Sequence, residues 1–97
     1  MAMAGIDLIR AERVRQIHTE GHTTARDIGR ANQLALAGAI YAYDAWSALE
    51  YGMSGDMPED WPWDEQSFRP DTDPTRTLIK AAALIASAID ALGETNA

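Results

Sequence analysis

Residues 24–50, TARDIGRANQLALAGAIYAYDAWSALE, decide the fold. Their apolar side chains (Ile28, Leu34, Leu36, Ile40, Tyr41, Tyr43, Trp46, Leu49) fall in nearly every direction around a helical axis. A helix that is apolar all round is one that other surfaces cover. At 1.5 Å per residue this segment would be about 40 Å long, more than one small core needs. Either it breaks near Gly38, or its excess apolar surface meets a second copy of the chain. The spacing therefore predicts a homo-oligomer. Alanines at 31, 35, 37, 39, 42, 45 and 48, together with Gly38, permit close backbone approach.

Upstream, residues 4–20 read as a helix, because Ile6, Ile9, Val14 and Ile17 share about 140° of arc. Gly21 ends it, and Thr23 or Thr24 supplies the next N-cap. Downstream, residues 51–73 contain Gly52, Gly55, Pro58, Pro62 and Pro70, too many breakers for a helix. Trp61, Trp63 and Phe68 argue for an ordered loop, since large aromatics are normally buried against something. Asp73 and Pro74 then form an N-cap and first position for a last helix over 74–92, with Leu78, Ala82, Ile85, Ala86, Ile89 and Leu92 as its inward stripe and Gly93 as its stop. The expected fold is all-α: residues 1–97 form one three-helix domain with a long central helix.

The 97 residues are 46% hydrophobic and 24% charged, a globular composition. No apolar run spans a bilayer and no leader pattern opens the chain, so a cytoplasmic protein is expected, without membrane contact. Zero cysteines exclude disulfides and thiolate chemistry. The net charge is −7, and residues 50–73 alone carry eight acids against Arg69. Such a surface repels nucleic acid. Asp56, Glu59, Asp60, Asp64 and Glu65 of this loop form a candidate surface for a basic partner.

Phosphate-cradling, nucleophile-elbow and zinc-protease motifs are all absent from the sequence. His18 and His22 have helical zinc spacing, but Gly21 between them makes them surface histidines, and neither metal nor cofactor is expected. A Mg²⁺-dependent nucleotide hydrolase needs paired carboxylates on facing helices. Asp27, Asp44 and Glu50 offer no ExxE or ExxD pair, so no catalytic residue is assigned. Arg10 and Arg13 fall on the apolar arc of the first helix. A cation there needs an internal carboxylate, such as Glu20, Asp27 or Asp44, or an anionic ligand. On the second alternative Arg10, Arg13 and Arg15, with Trp61 and Trp63 as a stacking wall, form a binding site for a nucleotide phosphate.

The strings AERVRQIHTEGHTTARD (11–27), WPWDEQSFRP (61–70) and LIKAAALIASAIDAL (78–92) resemble a family of small uncharacterised phage and prophage proteins. Glu12, Arg13, Arg15, Gln16, Ile17, Glu20, Gly21, Thr23 and Asp27 match its first element, and Trp61–Asp64 with Phe68 and Pro70 its second. Leu78 and Lys80–Ile85 match the third. The chain departs from the family pattern at His22 (Trp), Gln33 (Glu), Arg69 (Lys), and at Asp90 and Ala91, where Glu and Arg are expected. EGHT also resembles the ryanodine-receptor repeat domain, whose bacterial members are linked to nucleotide-derived ligands. The resemblance implies a phage genomic context; with the acidic, cysteine-free composition and the split between neutral body and acidic loop, the expectation is a non-enzymatic accessory protein of the host bacterial cytoplasm, acting in counter-defence. It would do so by sequestering a nucleotide signal or by blocking a host defence protein with the acidic loop. A helical nucleotide hydrolase and a structural or regulatory subunit are the alternatives.

Overall fold

The computed structural model describes residues 4–21 and 23–96. Among them are four helices, α1 (Gly5–Glu20), α2 (Thr24–Asp27), α3 (Ala31–Tyr51) and α4 (Pro74–Asn96), with a 3₁₀ turn at Glu65–Ser67, and no strand. The all-α expectation holds, but the single central helix does not. Gly29 adopts a left-handed φ of 81°, a conformation cheap only for glycine, and Arg30 donates its backbone N–H to the Asp27 carbonyl. That turn separates α2 from α3. Gly38, the break foreseen from sequence, lies buried within α3. A Cβ there would come within 2.8 Å of Ile85 Cγ1 and 3.1 Å of the Ala81 carbonyl, so Gly38 sets the close approach of α3 to α4.

The caps follow local chemistry. Gly21 closes α1 in the left-handed region, and the Thr23 hydroxyl accepts from Arg26 N–H to open α2. Asp73 Oδ1 accepts from Thr75 N–H at 3.0 Å to open α4. Gly93 does not end that helix, which continues to Asn96.

α4 is the central element: α3 packs along it most extensively, and α1 and α2 lean on it. α3 and α4 run in opposite directions, since Tyr41 meets Arg69 just ahead of α4 while Gly38 meets Ala81 and Ile85 further along it. Between them and the loop lies the core of Leu34, Ala37, Tyr41, Trp61, Phe68, Ala81, Leu84 and Ala88. Trp61 packs edge-on to Tyr41 and Phe68, with ring centroids 5.3 and 5.0 Å away.

Two inward faces differ from the sequence reading. In α1 the buried residues are Glu12 and Gln16, whereas Ile6 is 62% and Val14 49% exposed. The inward arc is turned by roughly a quarter of a revolution from the one the isoleucines mark. Much of it is internally bonded: Gln16 Nε2 donates to Glu12 Oε2 at 3.0 Å, and Arg15 holds both Glu12 oxygens, while Gln16 Oε1 meets no donor among the described residues. In α4 the covered residues are Thr77, Ala81, Ala83, Leu84, Ser87, Ala88 and Ala91. Leu78, Ile85, Ile89 and Leu92 face outward. Small residues let the helices close in, and the Ser87 hydroxyl is satisfied by the Ala83 carbonyl at 3.0 Å. No helix of the described residues is long and apolar enough to cross a membrane.

Candidate functional site

A groove of about 1160 Å³ is bounded by α1, the loop and α4. Five of the chain's eight cationic side chains line it: Arg15, Arg26, Arg69, Arg76 and Lys80. Glu12, Glu20, Asp64 and Asp71 line it too, so in a chain of net charge −7 the groove is close to balanced in charge.

The floor is built by Tyr41. Its hydroxyl donates to the Ser67 carbonyl at 3.2 Å and accepts from Arg69 N–H at 2.9 Å, fixing the loop over α3. Burial holds the phenol above its ordinary value, although the Arg69 backbone N–H pulls the other way. Trp61 Nε1 donates to the Asp64 carbonyl and the Ser67 hydroxyl, at 3.1 and 3.0 Å. Both polar ends of this corner are thereby satisfied within a buried aromatic cluster.

The cations fall into two groups. Arg15 is committed to carboxylates: Nε and Nη2 donate to Glu12 at 2.8 and 2.7 Å, and Nη2 also reaches Glu20 at 3.1 Å. Burial pushes the Glu12 carboxyl up, but the Arg15 hydrogen bonds and charge, with help from Gln16 and Lys80, leave it below its ordinary value. The Arg15 guanidinium is driven up, chiefly by its bond to Glu12. Arg76 stands 3.5 Å from Asp71, whose carboxyl is lowered first by the Asp73 backbone N–H and then by Arg76 and Lys80.

Arg26, Arg69 and Lys80 bond only main-chain carbonyls. Arg26 Nη1 donates to Glu20 O at 2.9 Å, Arg69 Nε to Gln66 O at 3.0 Å, and Lys80 Nζ to Arg69 O at 2.7 Å. None of the three has a carboxylate at salt-bridge distance among the described residues. With neutral hydrogen-bond partners these three cations are able to meet an anion, although Lys80 also feels the charge of Glu12 and Asp71.

Of the residues singled out from sequence, the structure brings Arg15, Trp61, Trp63 and Asp64 to this groove, and Arg10 and Arg13 do not line it. Arg10 is not inward-facing: its side chain is 72% exposed, beside Asp7 at 3.5 Å. Arg13 is mostly covered and meets Asp90 of α4 at 3.3 Å. Trp61 belongs to the core, so stacking falls to the half-buried Trp63, whose Nε1 donates to Gln33 Oε1 at 3.1 Å. Asp56, Glu59, Asp60, Asp64 and Glu65 are all exposed.

Sequence reasoning missed Arg26, Arg69, Arg76 and Lys80. One signal was available: Arg69 is the lone cation in an acidic segment that carries three large aromatics. The described residues contain no cluster of three or more His, Asp or Glu suited to a metal, and His22 lies outside them. No family profile, curated protein or solved structure matches the chain.

Proposed function

We propose that this chain is a non-enzymatic binding protein whose groove holds a phosphate-bearing, nucleotide-type ligand. The observation that supports it most is the convergence of Arg26, Arg69 and Lys80 on one groove with only carbonyl partners. A phosphate would supply the counter-charge, and Trp63 is the half-buried aromatic on the groove wall nearest to hand for a base. Arg15, already neutralised by two carboxylates, stiffens the wall and adds little to binding. With the phage-family resemblance, the biological role is sequestration of a nucleotide signal in the host cytoplasm.

Titration calorimetry against pyrophosphate and a panel of mono-, di- and cyclic nucleotides tests the reading. At least one should bind, with an affinity that falls as salt rises. Lys80→Ala should weaken that binding tenfold or more, about 1.4 kcal/mol, with little change in melting temperature. Silence across the panel, or a Lys80→Ala variant that binds like the parent, defeats the proposal. Product formation in the same samples with Mg²⁺ would identify a hydrolase instead.

A second reading is supported by the acidic loop. Five exposed carboxylates stand on a segment held by Trp61 and Tyr41, a surface able to occupy the basic site of a host protein. Charge reversal at Glu59 and Asp60 would abolish such an interaction and leave nucleotide binding intact.

A further inference from the structure

We infer that two copies of this chain join through the outer face of the α3/α4 pair, forming a four-helix bundle. On α4 the outward stripe is Leu78, Ala82, Ile85, Ile89 and Leu92, with successive spacings of four, three, four and three residues. On α3 the residues that share the flank of Gly38 are Ala35, Ala39, Ala42, Trp46 and Leu49, with the same spacings. That alternation is the seam pattern of bundled helices, and it is present on both members of an antiparallel pair.

The two stripes lie on one side of the molecule. Ile85 touches the Gly38 position, so the α4 stripe borders the seam on the flank where the α3 stripe runs. The face is open: Leu78 is 43% exposed, Ile85 42%, Ile89 63%, Leu92 49%, Trp46 45% and Leu49 66%. The molecule measures 41 × 39 × 22 Å, a slab two helix diameters thick. α1 packs against α4 on its other side, where Arg13 reaches Asp90, and the outer face of the slab stays bare.

Three observations select a second copy as the occupant. First, the face carries no charge. The one charged residue of α3 between Ala31 and Leu49 is Asp44, and it is buried with its oxygens on Ser54 Oγ and Gly55 N–H, both at 2.7 Å. Lys80 and Asp90 of α4 turn to Arg69 O and Arg13. A strongly acidic chain can meet itself without repulsion only through such a surface. Second, the seam pattern is self-complementary, as a two-fold interface requires. Third, the face gathers six large apolar side chains, each between 42% and 66% exposed, on one side of the molecule, a patch of the kind that a stable interface covers. The grooves and acidic loops of both copies would remain on the outside, so the inference stands independently of what the groove binds.

Light scattering of the full chain at micromolar concentration should give twice 10.6 kDa. Ile89→Glu and Leu49→Glu should each raise the dimer dissociation constant a hundredfold or more, about 2.8 kcal/mol, with helicity by circular dichroism unchanged. Glu65→Lys, on the loop that Tyr41 holds against the other flank of α3, should leave the dimer intact. If Ile89→Glu loses helicity, Leu49→Glu decides alone. A monomeric parent overturns the inference, as does a dimer that survives substitution at Leu49. A parent that floats with lipid vesicles as a monomer also overturns it and reassigns the face to a membrane surface.

Discussion

The two sides of α4 invert the usual relation between size and burial. Its covered side is Thr77, Ala81, Ala83, Leu84, Ser87, Ala88 and Ala91, and its open side is Leu78, Ile85, Ile89 and Leu92. Apolar burial is worth about 25 cal/mol per Å². A chain optimised only for its own core would have placed these residues the other way round. The small side allows helix backbones to approach closely, and the large side leaves apolar area for another surface. The difference teaches that close helix contact and large apolar side chains need not share a face, and in the proposed dimer the open face is the one that would meet a second copy.

The comparison breaks first at Trp61. If the covered side alone holds the monomer together, Trp61→Ala should cost about 3–5 kcal/mol at every protein concentration in thermal melts. Ile89→Ala should lower the melting temperature only where the parent is dimeric, because a partner stabilises by mass action. Equal, concentration-independent losses would mean that the two sides contribute alike.

Gly38 sharpens it next. A valine there meets Ile85 and the Ala81 carbonyl and must push α3 from α4. The expected loss is about 3 kcal/mol, read by urea unfolding. A loss below about 1 kcal/mol would show that the seam has room, and that close approach is not why the covered side is small.

What was legible in the sequence follows the same division. Local signals were sufficient where chemistry is local: Gly21, Thr23 and the Asp73–Pro74 pair mark ends that the structure places there. Periodicity revealed the stripes on α1 and α4 but not which side of each helix would be covered. A stripe of Ile and Leu reads identically whether its partner is the same chain or another, and the alanines that prevail inside α4 carry no such mark. Gly29 was passed over because Ala-rich sequence continues on its far side. The groove was legible only through Arg15, Trp61 and Trp63. Arg26 and Lys80 come from helices distant in sequence, and no spacing rule joins residues that only the tertiary fold brings together.

The smallest effect concerns the polar inward face of α1. Glu12 is buried yet ionised: desolvation alone would favour its protonation, but the bonds and charge of Arg15, with Gln16 and Lys80, together outweigh it. Its folded pKa lies below its ordinary 4.5. The unfolded chain therefore takes up the proton first as pH falls. The stabilisation is full above 4.5 and is lost as pH drops through the folded value. Arg15 is 41% exposed, so water screens the pair and the contribution is on the order of 1 kcal/mol. Glu12→Gln retains the shape of the side chain and an acceptor for Arg15 but removes the titration. Melting temperatures of parent and variant should thus differ at pH 7 and converge toward pH 3. A gap unchanged across that range would show that Glu12 supports α1 by packing, which would make the polar inward face an ordinary core surface after all.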